Sequence, residues 1–221
     1  MVAHGTRSVR GVQAVGDLAR AVARRVGTVR VAFVDVLGPS PSEVLGEGDG
    51  AAVVVPCFLA AGYHVHTDLP RHVAASGRPE VTVTAPLGPD PLLADALVRR
   101  LRAVDWRPGD RIVLGATGSS DPRARADVAA MAALLAERVG DDVAHGFQAA
   151  GEPLVSDEVA RLRAAPRRVF VASYQLAPGL FHARLHDVGA DAVTAPLGVA
   201  PEVVELVAAR FTAVRAASGR A

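Results

Sequence analysis

Lysine is missing from this chain: all 24 basic residues are arginine, set against 23 acidic ones, for a formal net charge of +1. That balance removes the electrostatic case for binding nucleic acid or an anionic membrane surface. With the abundance of Ala, Val and Gly, the arginine-only usage points to a GC-rich genome rather than to function. Cysteine occurs once, at Cys57, so no internal disulfide is possible, which suits a reducing compartment. No run approaches the roughly 18 uncharged apolar residues of a membrane span, and no secretory leader pattern opens the sequence. A soluble cytoplasmic protein is the default expectation. Also missing are a GxGxxG with a downstream acid, a P-loop and a GxSxG, which weakens dinucleotide, nucleotide and α/β-hydrolase readings.

Half of the 221 residues are hydrophobic, enough for a sizeable core, and they fall into short apolar runs alternating with helical patterns. Strands are predicted at Val29 to Val36, 51 to 59, Val81 to Ala85, Arg111 to Gly115, Asp142 to Phe147, Arg168 to Tyr174 and Ala192 to Ala195. Helices are predicted at 8 to 26, from Pro41 to Leu45, over 68 to 76, from Pro91 to Val104, after Pro122 to about Arg138, from Val155 to Ala164, after Gly179 to about Val188, and from Pro201 to about Ala216. The alternation predicts an α/β fold with parallel sheets and right-handed crossovers.

The two halves repeat one another. Ala85-Pro86-Leu87-Gly88 recurs as Ala195-Pro196-Leu197-Gly198, and Ala3-His4-Gly5 matches Ala116-Thr117-Gly118. This predicts two homologous lobes, residues 1–105 and 106–221, each a four-stranded parallel sheet flanked by helices, joined near Trp106-Arg107-Pro108-Gly109-Asp110. The first half has only Met1-Val2-Ala3 ahead of His4, so its first strand is very short or the true start lies a few residues earlier.

In a lobe of strand order 2-1-3-4, the crevice outside the carboxyl ends of strands 1 and 3 is the expected ligand site. His4 follows strand 1, and His64 follows strand 3 after the break at Gly62, so the topology brings the pair together. Two imidazoles cannot close a structural zinc site, which takes four ligands. They can hold a metal in transit or accept protons from a substrate that itself binds metal. His66 is a further candidate ligand, with a solvent-facing neighbour as its ordinary alternative. Thr67 or Asp68 is read as the cap of the helix that follows. The second lobe has Thr117 and Phe181 in place of His4 and His64, so one site is expected.

Other histidines carry less. His72 reads as a surface residue and His145 as a strand residue inside an unrelated Ala-His-Gly. His182 and His186 stand at i and i+4 without an evident carboxylate partner. Cys57 reads as a small core residue. Arg7, Ser8, Ser119 and Ser120 lead into helix N-termini, where free N–H groups favour carboxylate or phosphate. Ordinary capping by the serines is the competing reading.

The set Ala3-His4-Gly5-Thr6-Arg7, Pro56-Cys57-Phe58-Leu59, Gly62-Tyr63-His64-Val65 and Asp68-Leu69-Pro70 resembles the class II sirohydrochlorin chelatases. Ala85-Pro86-Leu87-Gly88-Pro89-Asp90-Pro91 and Gly118-Ser119-Ser120-Asp121-Pro122 extend the resemblance over nearly the whole chain, in its two-lobed form. The resemblance implies ATP-independent insertion of Co2+ or Fe2+, with Ni2+ also acceptable to imidazole, into sirohydrochlorin in cobalamin or siroheme synthesis. It places the family's two active-site histidines on His4 and His64, with Arg7, Ser8, Ser119 and Ser120 near the substrate carboxylates. It implies no cofactor beyond the substrate metal, no nucleic-acid or membrane partner, and a monomer whose cleft is built by internal duplication. An acidic residue common in relatives shortly after the second histidine is replaced here by Thr67, with Asp68 nearby. A carrier of metal or tetrapyrrole without catalysis, and a chelatase for another tetrapyrrole such as coproporphyrin, are the alternatives.

Overall fold

The computed structural model describes residues 1–218. The first half runs β1 (Val2–Ala3), α1 (Val9–Val26), β2 (Ala32–Phe33), α2 (Pro41–Gly46), β3 (Ala52–Val54), α3 (Leu69–Ala75), β4 (Val81–Val83) and α4 (Pro91–Arg102). The second runs β5 (Arg111–Gly118), α5 (Pro122–Val139), β6 (Val143–Ala150), α6 (Val155–Leu162), β7 (Val169–Ser173), α7 (Leu180–Leu185), β8 (Ala192–Val193) and α8 (Pro201–Ser218). All strand pairs are parallel.

The second sheet has the order β6-β5-β7-β8. In the first half β1 pairs with β2 and β3 with β4. The Val2 N–H donates to the Val55 carbonyl at 3.0 Å, and the Cys57 N–H donates to the Val2 carbonyl at 2.7 Å. These bonds join the two ladders into the order β2-β1-β3-β4. The expected 2-1-3-4 arrangement is thus present in both lobes. Strands of the first lobe are shorter than the apolar runs suggested: Val29 to Val36 contributes only Ala32 and Phe33 to a ladder.

Strand alternation sends side chains to two different cores. From β5, Ile112, Leu114 and Ala116 face a core shared with the other lobe, whereas Val113 faces Val155, Val159 and Leu185 on the outer side. The shared core takes Leu18 and Val22 of α1, Leu93 to Leu101 of α4, Met131 and Leu135 of α5 and Val203 to Val207 of α8. Helices α2 and α3 cover the outer face of the first sheet, over Val2, Ala32 and Val54. The lobes are therefore two three-layer units pressed together through α1, α4, α5 and α8.

The caps follow from local chemistry. Ser8 accepts from the Gly11 N–H at the start of α1, and Asp121 accepts from the Arg123 N–H at the start of α5. The linker is fixed rather than loose: Trp106 is buried in the shared core, and Arg168 holds Asp110 at 2.6 Å. No helix among the described residues is long and apolar enough to cross a membrane.

Candidate functional site

The β1–β2 ladder continues past its named ends. The Asp35 N–H donates to the His4 carbonyl at 2.9 Å, which sets Asp35 directly beside His4 at the rim of the sheet. Gly5 makes this approach possible. Its φ is +105°, and a Cβ there would collide with the Asp35 carbonyl. Val36 next to it takes a φ of 70°, and its N–H is held by the Asp35 carboxylate at 2.7 Å.

His64 arrives from the other inner strand. After β3 the chain passes Phe58, whose carbonyl accepts from the N–H groups of Leu87 and Gly88, and breaks at Gly62. Residues His64–Asp68 then form a single π-helical turn that runs straight into α3. The expected cap at Thr67 or Asp68 is not what forms. Asp68 is already helical, and its side chain makes no capping bond. Its carboxylate instead meets His64 Nδ1 at 2.7 Å. This orients the ring and leaves Nε2 free for another partner, the arrangement by which carboxylates fix metal-binding imidazoles.

The two histidines meet as the topology required. Their ring centroids lie 4.5 Å apart and nearly perpendicular. Phe58 lies almost parallel to the His64 ring at 6.3 Å, and Tyr63 packs edge-on at 5.9 Å. His4, Asp35 and His64 each offer one ligating atom, all within 4.8 Å of one another. Two imidazoles and one carboxylate, open on one side, suit a divalent ion of the Fe, Co or Ni type. Asp35 is the member that sequence reasoning missed. Its signal was available: it ends the strand that flanks strand 1, on the same rim as His4.

His66 does not join this cluster. It is exposed, and its charge bears on Asp121 of the second lobe. The anion-binding candidates divide. Ser8 spends its hydroxyl on the Gly11 N–H, and Ser119 on the Asp121 N–H at 3.1 Å. Ser120 and Arg7 are exposed on the rim. The Asp121 carboxyl is held down at about 2, chiefly by its side-chain bond to Arg123 and then by the Arg123 N–H.

The remaining histidines are accounted for by local contacts. His72 meets Ser42 at 3.2 Å, His182 reaches the Thr194 carbonyl at 3.0 Å, His186 packs edge-on against His182, and His145 packs edge-on against Phe147. Cys57 is buried, which pushes its thiol up to about 11, so it is no thiolate ligand at neutral pH.

The second lobe has the same frame without the donors. Counting from the paired ladders, Ala3 with Phe33 and Ala116 with Phe147, Asp35 corresponds to Ala149, and past the register shift in that ladder Ala150 makes the close approach to Gly118 that Asp35 makes to Gly5; neither alanine offers a donor. Counting from Gly62 and Gly179, His64 corresponds to Phe181 and Asp68 to Leu185, which is fully buried.

Comparison with known proteins agrees with this duplicated frame. The family model described as CbiX matches residues 1–104 and again residues 111–214. The chain is 28% identical over 193 residues to a sirohydrochlorin ferrochelatase of Priestia megaterium, covering 81% of this chain and 73% of that protein. It is 29% identical over 122 residues to a sirohydrochlorin cobaltochelatase of Methanococcoides burtonii, covering 47% of this chain and 92% of that one. Among solved structures, SirB from Bacillus subtilis with Fe3+ superposes with a TM-score of 0.83 at 22% identity, covering 96% and 92% of the two chains.

Proposed function

The chain belongs to the CbiX family, and from that premise we propose that it is a sirohydrochlorin chelatase, inserting Co2+ or Fe2+ into the metal-free macrocycle without ATP. The observation that carries the reading is the cluster of His4, Asp35 and His64 at the rim of the first sheet, with ligating atoms within 4.8 Å of one another. The names of the relatives support both the substrate and the two metals. The same donors accept Ni2+.

In this reading the metal ion is a substrate. His4 and His64 receive it through imidazole nitrogen, and Asp35 adds a negative charge that offsets part of the cation's own. Asp68 holds the Nδ1–H of His64, so that Nε2 faces the cleft. Metallation exchanges two pyrrole protons for one divalent ion. As the ion passes to the macrocycle, the imidazoles it leaves regain their lone pairs and take those protons, which then pass to solvent. Arg7 and Ser120, on the rim of the cleft, meet carboxylates of the substrate. The first repeat, residues 1–105, carries the chemistry. The second, residues 106–221, supplies the opposite wall, so that one chain builds the whole cleft as a monomer.

The test is the absorbance change of sirohydrochlorin with Co2+ or Fe2+ at catalytic protein concentration. Multiple turnovers above the spontaneous rate are expected for the wild type, and loss of turnover for His4→Ala and His64→Ala. A folded wild type that accelerates neither metal would overturn the reading, and a stoichiometric complex without turnover would favour a carrier.

A further inference from the structure

Some contacts across the pseudo-symmetry axis of the lobes come in matched pairs. Arg210 reaches the Pro86 carbonyl, and its counterpart Arg100 reaches the Leu197 carbonyl. Thr6 faces Gly179, and its counterpart Ser119 faces Gly62. Several polar contacts have no reciprocal, among them Arg99 with Glu202, Arg138 with Asp95 and Arg210 with Asp90, and two such bonds converge on one short segment. The Asp127 carboxylate on α5 accepts from the Ala61 N–H at 2.7 Å. The Tyr174 hydroxyl, at the end of β7, donates to the Leu59 carbonyl at 2.7 Å. Both run from the second lobe to residues 59–61, immediately ahead of Gly62-Tyr63-His64.

The reciprocal bonds cannot form. Counting from the caps Ser8 and Asp121, Asp127 corresponds to Ala14, which has no acceptor. Counting from Gly62 and Gly179, Ala61 corresponds to Pro178, which has no N–H to donate, and Tyr174 corresponds to Cys57. The Cys57 thiol contacts its own strand at the Val55 carbonyl instead. Tyr174 is buried, so its single polar atom has a strong need for the partner it finds. The grip is thus one-sided, and the gripped loop is the one that ends in a site histidine.

We propose that Asp127 and Tyr174 are positioning residues: the second lobe, which lacks counterparts of His4, Asp35 and His64, holds the 59–61 segment so that His64 stands in register with His4 and Asp35. The proposal rests on reading those three residues as the metal site. A loop that ends in a glycine has many conformations available, and two short bonds to a packed lobe select one. Loosening them lowers metal affinity while the histidines themselves remain.

The experiment measures Co2+ affinity of the full chain without tetrapyrrole, by the visible absorption of the bound ion, alongside KM for Co2+, kcat and the thermal midpoint. Asp127→Ala and Ala61→Pro, the latter copying the second lobe, are each expected to weaken Co2+ binding and raise KM for Co2+ by about tenfold, the lower end of the outer-shell range. Tyr174→Phe is expected to do so by less. Asp127→Asn, whose amide oxygen still accepts from Ala61, restores most of the affinity. Arg138→Ala, which removes the interlobe pair with Asp95 away from this loop, is expected to leave Co2+ affinity unchanged. Unaltered Co2+ affinity in both Asp127→Ala and Ala61→Pro overturns the proposal. So does an equal loss in Arg138→Ala, which would mark a general effect of loosening the lobes. Because Co2+ affinity is read without tetrapyrrole, a wild type that binds Co2+ but turns over no sirohydrochlorin would sink the chelatase reading and leave this one standing.

Discussion

The two lobes share a strand order, a helix layout and a common core, yet they have diverged in opposite directions at the same rim. The first presents His4, Asp35, His64 and Asp68. The second presents Thr117, Ala149, Phe181 and the buried Leu185 at the matching places. The loops differ as the side chains do. His64–Asp68 winds as a π-helical turn that brings an imidazole onto a carboxylate four residues on, whereas the second lobe goes from Gly179 directly into α7. Strands tell the reverse story: β5 and β6 are eight residues each, while β1 and β2 are two. The lobe that holds the His4, Asp35 and His64 cluster has the sparser ladders, and the other lobe has the longer sheet and the groups that bond to residues 59–61.

The contrast can be broken most severely by giving the first lobe the residues of the second. His4→Thr with His64→Phe is expected to lower chelatase turnover by at least about 100-fold, the scale on which positioned acid–base and ligand groups act, while circular dichroism stays unchanged. Cutting into what the lobes have in common comes next. Leu97 is fully buried in the shared core, so Leu97→Ala is expected to cost about 2–5 kcal/mol. Denaturant unfolding should remain a single transition, since both lobes lose the same core. Two separate transitions would show that the lobes fold independently.

A smaller effect is expected from Asp68→Leu, again the second-lobe residue. It removes the anchor of His64 but neither ligand, so KM for Co2+ should rise about tenfold with a lesser change in kcat. In the opposite direction, Thr117→His, Ala149→Asp and Phe181→His together should create a second Co2+ site. Calorimetry should find it at least about tenfold weaker than the first, because Leu185 offers no acceptor for the new imidazole.

The smallest expected difference is one of pH. The Asp121 carboxyl sits at about 2 in the folded chain against an ordinary 3.8. Its stabilising contribution is therefore present above about 3.8 and fades as pH falls through about 2. Ser8, the matching cap of α1, does not titrate. Hydrogen-exchange protection at the first turn of α5 should therefore drop between pH 4 and pH 2, while that of α1 changes less.

Much of this architecture was legible in the order of residues. The repeat of Ala-Pro-Leu-Gly and the alternating apolar runs gave two lobes of 2-1-3-4 order, because parallel strands with short crossovers leave few other topologies. That order alone placed His4 opposite His64. Local pattern was less reliable at the strand ends. Val29 to Val36 is apolar enough for a full strand, but only Ala32 and Phe33 form regular ladder pairs, and the hydrogen bonds that continue the ladder end at Asp35, ahead of the positive φ of Val36.

What the sequence by itself determined is therefore the frame and the first pair of donors, since both follow from periodicity and connectivity. Only the tertiary structure decided the rest. Asp35 joined the site through a ladder bond between residues far apart in the chain. Asp68 exchanged a capping role for a bond to His64, because the turn formed as a π-helix. His66 was left exposed and outside the cluster. Asp127 and Tyr174 acquired their grip on residues 59–61 through the packing of one lobe against the other. Each depends on distances between segments that no local pattern encodes, which is why the histidine pair could be read from the sequence and its third donor and support could not.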